Sequence, residues 1–315
     1  MSEKKLSRRR ALEVGTAFGG LGLAATAGLM SSPVDAASAS ASGSRNPAGR
    51  LNLEDPRERA RLQAKVKGSI AEETVYTFCR LHLYLYMNDG NLLPMVSMQN
   101  LNVAKWKPLP NGNFSGTVHE VGVYTRFDTD ELIDHWENPV TGEKREVWQF
   151  VGGPLSVEIG PDGMVTGPEA TLKPKSMRAD VIGDMVILPN GSAFSFPTPF
   201  KPEQWPKEAG APTYYWDSHY YYAARLADVL DPRQTSVPAA VQFQNLVSFH
   251  PWIGMGQRPG RTWGKGLGAK IRSLDGIPAG ARAALEKRAP EIFDLDNWKA
   301  PRNDFVEYMM KRKPA

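Results

Sequence analysis

The chain has almost no cysteine. Cys79 stands alone among 315 residues, so neither a disulfide framework nor a cysteine-built metal site can form within one molecule. It also lacks a charge imbalance. Lys and Arg number 38 against 34 Asp and Glu, a net of +4 that gives no argument for a nucleic-acid partner. Histidine is scarce too, and His82, His119, His135, His219 and His250 fall in no His-Glu-x-x-His or His-x-His spacing. A metal site would have to be assembled from distant strands, and no metal or cofactor is implied. There is no Gly-x-Ser-x-Gly elbow, which argues against a conventional serine hydrolase. Gly254–Thr262 superficially suggests a phosphate loop. However, Met255 stands where the first glycine is needed, Arg261 takes the lysine place, and Pro259 removes an N–H. With 41% apolar residues, what remains is a folded protein with a sizeable core.

The N-terminal charge-free stretch, Val14–Met30, is short and glycine-rich for a membrane span, which needs about 20 apolar residues. It follows Lys4, Lys5 and Ser7-Arg8-Arg9-Arg10-Ala11-Leu12, which resembles the twin-arginine export motif, and precedes the small residues of Val34-Asp35-Ala36. Residues 1–36 are therefore expected to be a cleaved twin-arginine signal peptide. The expected location is periplasmic, the export machinery is a transient partner, and the mature protein has no stable membrane span. Removing the signal takes away five basic and three acidic residues and leaves a balance of +2.

Residues 37–55 read as a flexible Ala/Ser/Gly spacer, and 56–315 as a single domain. Asp55-Pro56 caps a short helix over 56–67, which Gly68 closes. Short β-branched and aromatic runs then follow, at Thr77–Met87, Val118–Phe127, Glu146–Val151, Leu155–Ile159, Val181–Leu188 and Ala239–Phe249. Breaks are expected at Asn88-Asp89-Gly90, around Gly112, Gly142 and Gly163, and at Pro189-Asn190-Gly191. Helical patterns return at Pro278–Arg288 and Asn303–Lys313. The expected fold is mainly β, an antiparallel lipocalin-like barrel with an N-terminal helix and C-terminal helices.

Three segments could carry chemistry. In a strand, Tyr215, Asp217, His219 and Tyr221 share a face, placing an acid, an imidazole and phenols in one row. Asp217, His219 and Tyr221 are the catalytic candidates, with Asp217 holding His219 in one tautomer as the base. In the run from Thr77, Arg80, His82 and Tyr84 share a face that would offer a cation and hydrogen-bond donors to a ligand in a barrel lumen. His250, Trp252 and Arg258 lie in a Gly-, Arg- and Trp-rich loop suited to an aromatic ligand with an anionic group. The reading that follows is an exported protein binding a small apolar or aromatic molecule in a β-barrel cavity. Its sharper form is a cofactor-independent lyase or isomerase. The alternatives are a non-catalytic periplasmic binding protein and an envelope interaction module. Cys79, within Val75–Cys79, reads as a buried small hydrophobe.

Val121-Gly122-Val123-Tyr124, Trp136-Glu137-Asn138-Pro139-Val140-Thr141-Gly142-Glu143 and Met255-Gly256-Gln257-Arg258-Pro259-Gly260 together resemble domain-of-unknown-function family 1838. The resemblance spans roughly residues 70–290 and implies one coherent domain. It carries no activity and no catalytic residues.

Overall fold

A computed structural model describes residues 51–166, 179–197, 213–298 and 302–303. The expected signal peptide, most of the spacer and all but the first residue of the expected tail helix over Asn303–Lys313 lie outside the described residues.

Helix α1 (Pro56–Lys67) opens the described chain. Asp55 caps it by accepting from the Arg57 N–H, Pro56 sits in its first turn, and Gly68 ends it. The sheet comprises β1 (Glu73–Met87), β2 (Leu92–Pro108), β3 (Phe114–Thr125), β6 (Phe150–Gly160), β7 (Gly163–Thr166), β8 (Asp180–Ile182), β9 (Met185–Pro197), β10 (Thr213–Arg225), β11 (Ala239–Val247), β12 (Gly260–Ile271) and the short β13 (Arg302–Asn303). A separate hairpin joins β4 (His135–Glu137) to β5 (Lys144–Glu146). Every pairing is antiparallel, in the order β13-β6-β3-β2-β1-β12-β11-β10-β9-β8, with β7 also on β6. The fold is mainly β, and the sheet curls into a half barrel.

The curl divides each strand into a concave and a convex row. Leu81, Leu83 and Leu85 of β1 point into the concave side with Val241 and Phe243 of β11 and Tyr222 of β10, and all are buried. Phe78, Leu101, Val103, Val121 and Val123 point to the convex side. There α3 (Ala279–Arg288) covers them with Ala281, Ala284 and Leu285. Burial of such side chains is worth about 1.5–3 kcal/mol each, so both faces drive folding.

Helix α1 lies across one end of the curl. Gln63 Nε2 donates to the carbonyls of Gly160 and Pro161 beside β6, while Leu62 and Val66 enter the concave core. Its other end is latched by buried lysines. Lys270 Nζ of β12 donates to the carbonyls of Lys65 (2.6 Å) and Gly68 (2.8 Å). Lys65 Nζ donates to those of Val229 and Asp231, at the end of α2 (Leu226–Leu230). These are the carbonyls a helix C-terminus leaves unpaired, and a cation suits that end.

Two expectations about breaks are corrected. Pro189-Asn190-Gly191 is not a turn but the middle of β9, paired with Tyr221, Tyr220 and His219 of β10. The reversal falls earlier, at Gly183 (φ 61°), and splits the expected strand Val181–Leu188 into β8 and β9. The segment from Gly260 is likewise no loop. As β12 it pairs with both β1 and β11, near the middle of the sheet.

Glycine makes this strand possible. Gly264, Gly266 and Gly268 all face the concave side, and a Cβ on them would strike Leu83, Leu81 and Cys79 of β1, respectively. Side chains of β1 thus lie across β12 in the space its own residues leave open.

Candidate functional site

The concave side holds a cavity of about 70 Å³ between β1–β3 and β10–β12. Its walls are mostly aromatic and aliphatic: Trp216 and Tyr220 from β10, Phe243 from β11, and Trp148 and Phe150 at the entry to β6. Tyr220 and Phe243 are cross-strand partners with ring centroids 4.4 Å apart.

A few polar groups interrupt this wall. Glu120 of β3 is 5% exposed, and its Oε1 accepts from Asn100 Nδ2 at 3.0 Å. On the far wall, the buried Oδ1 of Asn245 and Oγ1 of Thr262 have no hydrogen-bond partner among the described residues. A buried oxygen left unpaired costs about 1–3 kcal/mol, so both groups call for a guest, whether ligand or water.

His250 joins the cavity under an aromatic roof. Its ring lies 5.9 Å from that of Trp148 and 6.0 Å from that of Trp216, and a 2.9 Å hydrogen bond joins Nδ1 to the Tyr214 hydroxyl. Burial pulls the imidazole down to about 4, so it is neutral near pH 7. Burial also pushes up the Cys79 thiol, to about 12, and the phenols of Tyr220 and Tyr222; the nearby Glu120 charge pushes all three further. Cys79 is a buried thiol on the cavity floor, held protonated at neutral pH.

The nine residues proposed from sequence scatter across this geometry. His250 lines the cavity. Trp252 is fully buried beside it, packed against Tyr124 (5.5 Å) and Trp136 (5.8 Å) as part of the core. Arg258 is exposed and donates to the Met255 carbonyl at 3.4 Å.

Arg80, His82 and Tyr84 occupy the convex face, not a lumen. Loop 126–134 folds back over them. Arg80 grips Asp130 through both carboxylate oxygens (2.7 and 2.9 Å), His82 meets Ser97 Oγ at 2.9 Å, and Phe127 packs on the rings of His82 and Tyr84. The row is polar because the curl places it outside, where it anchors a loop.

Asp217, His219 and Tyr221 are also convex. The expected acid–imidazole pair forms, with His219 Nε2 2.7 Å from Asp217 Oδ1, but their side chains are 41% and 46% exposed. Gly191 of β9 leaves room for the His219 ring, which a Cβ there would strike. Among the described residues the pair therefore has its tautomer-setting partner but no enclosed place for a substrate, and the cavity lies on the opposite side of the strand. The alternate residues of the same strand, Trp216 and Tyr220, are the ones that reach the cavity.

The residues missed from sequence had one usable signal. Glu120 is the one acid in the strand-forming stretch Val118–Tyr124, and a carboxylate is rarely buried without purpose. Among the described residues, no three His, Cys, Asp or Glu side chains gather as a metal ligand set. No helix of the described residues is long and apolar enough to cross a membrane.

The Trp136–Glu143 and Met255–Gly260 motifs meet beside the cavity's roof. Asn138 is fully buried in the β4–β5 turn. Its Oδ1 accepts from the N–H groups of Val140 and Thr141, and its Nδ2 donates to the Ile253 carbonyl at 2.9 Å. Arg145 Nε donates to the Trp252 carbonyl, and Gly254 (φ 71°) provides the space its guanidinium fills. The two motifs therefore form one junction that sets the segment following His250. No curated protein matches the chain. A family model described as protein of unknown function, DUF1838, matches residues 72–309, and the chain belongs to that family.

Proposed function

We propose that the protein is an exported binding protein whose small ligand enters the aromatic concave cavity, with the curled sheet acting as a lipocalin-like cup. The observation that carries this reading is the pairing of an aromatic wall with the buried, unpartnered oxygens of Asn245 and Thr262. An apolar wall with a few oriented polar groups is the usual composition of a small-molecule site. Binding is preferred to the lyase or isomerase reading because the acid–imidazole pair, Asp217 and His219, stands on the other face of the sheet. Export through the twin-arginine route fits the Ser7–Leu12 motif.

Native mass spectrometry of the protein purified from the exported fraction of its host tests this. A small-molecule adduct is expected, and it should be lost in Val247→Phe, which fills the cavity from β11. Absence from the exported fraction would overturn the address. Adduct-free protein whose tryptophan fluorescence ignores a panel of small apolar and aromatic compounds would overturn the binding reading.

A further inference from the structure

We propose that a second pocket, beside the C-terminal end of α1, is a carbonyl-capture site in which the Lys270 amine forms an imine with a small hydroxylated aldehyde and Glu73 carries the protons. The pocket shares no lining residue with the aromatic cavity, so it stands or falls apart from the binding reading above.

The pocket holds about 370 Å³ between the start of β1, the end of β12 and the segment leading into β11. A cavity of roughly 150 Å³ holds benzene, so a short-chain guest has ample room. Glu73, Thr74, Gln234, Ser236 and Arg272 line it together with Lys270. Their carboxylate, hydroxyl, carboxamide and guanidinium groups match a guest that carries hydroxyls of its own.

Lys270 is 6% exposed, and its Nζ donates to the carbonyls of Lys65 (2.6 Å) and Gly68 (2.8 Å). A neutral amine has two N–H groups and one lone pair, so these two bonds use both hydrogens and leave the nucleophilic pair free. Burial pulls the amine down to about 7, while the Glu73 charge pushes it up, so a large share is unprotonated at neutral pH. Neither carbonyl depends on the lysine. That of Lys65 also accepts from the Val237 N–H (3.0 Å), and that of Gly68 from Ser236 Oγ (2.8 Å). Converting the amine therefore leaves neither helix-end carbonyl unpaired.

Nothing is oxidised or reduced in the step. The Nζ lone pair attacks the aldehyde carbon, a C–N bond forms, and the carbonyl oxygen takes a proton. That hydroxyl then leaves as water while C=N forms, so both amine protons end on the departing water. Glu73 is the group placed to move them. It lines the pocket, its charge acts on Lys270, and its Oε1 is fixed by the Thr235 hydroxyl at 2.7 Å and by the Ser69 hydroxyl.

Incubating the full chain with glyceraldehyde and cyanoborohydride at pH 7 reduces any imine to a stable secondary amine, which peptide mass spectrometry then locates. Label on Lys270 is expected to exceed that on the exposed Lys265 and Lys287 by about ten-fold or more, since ordinary lysines are almost fully protonated at this pH. Lys67 is the internal control. Burial pulls it to about 7 as well, but it donates to Gln63 Oε1 and lines neither pocket, so it should stay unlabelled. Propanal, equal in length but without hydroxyls, should favour Lys270 over the exposed lysines less strongly. Glu73→Gln, which keeps shape, should slow labelling at Lys270 by about ten-fold or more. The wild-type map decides the matter even if that variant fails to fold. Label no stronger on Lys270 than on the exposed lysines, or equal label on Lys67, would overturn the site. Equal preference with propanal would overturn the hydroxylated guest, and an unchanged rate in Glu73→Gln the proton-carrying role.

Discussion

The concave and convex faces of the sheet are built from alternate residues of the same strands, yet they do different work. On β10, Trp216 and Tyr220 face the cavity while Asp217, His219 and Tyr221 face outward. On β1, Leu81 and Leu83 line the cavity while Arg80, His82 and Tyr84 hold down loop 126–134. Functional groups drawn in the same row need not face a ligand. A curled sheet buries its apolar row on the inside, so a conspicuous polar row more often faces out.

The sharpest way to break this contrast is to swap two neighbours on β12. Gly268→Val is expected to destabilise the fold by about 3 kcal/mol or more, because the added carbons would meet the Phe78 carbonyl and Cys79. Leu267→Ala, one residue away and 73% exposed, should change stability by no more than about 0.5 kcal/mol. Urea unfolding of both variants checks the pair. Equal losses would mean that the inward row is not tightly packed.

The next largest effect belongs to His250. Its folded-state value, about 4, lies below the ordinary 6.5. As pH falls below 6.5, the unfolded chain takes up a proton that the folded chain refuses, so stability drops. The loss ends near pH 4 and totals roughly 3 kcal/mol. Comparing wild type with His250→Asn across this window isolates the contribution, and the variant should lack that part of the slope. Parallel curves would show that the imidazole is not buried as described.

The smallest effects are expected on the convex face. Arg80→Ala breaks a half-exposed ion pair with Asp130 and should cost about 1 kcal/mol. Asp217→Asn should leave ligand affinity unchanged within two-fold or about 0.4 kcal/mol, since the pair it disrupts points away from the cavity. A ten-fold loss of affinity in the latter would return the outward pair to the functional site.

Much of the fold was legible in the sequence. Asp55-Pro56 and Gly68 bracket α1, the alternation from Thr77 to Met87 is β1, and α3 falls where helix formers gather after Pro278. What misled was glycine and proline. Pro189-Asn190-Gly191 carries turn chemistry but lies within β9, where Gly191 is required by the His219 ring of the next strand. The glycines of β12 look like a loop because glycine is depleted from strands; here it answers to Leu81 and Leu83, which no local window contains. The site was less legible than the fold. Alternation separates two rows of a strand but does not say which one is inside, and the cavity joins Glu120 to Asn245 across 125 residues of chain.

The bare stretch of β12 has a practical corollary. Where Gly266 stands, the width of the cup is governed by the isobutyl group of Leu81 reaching over from its neighbour. Bulk can therefore be exchanged between the two strands, with carbon added at position 266 and removed at position 81, so that the bore is reshaped while the total filling stays constant. Curvature obtained by omitting atoms leaves a wall that can be retailored one methyl at a time.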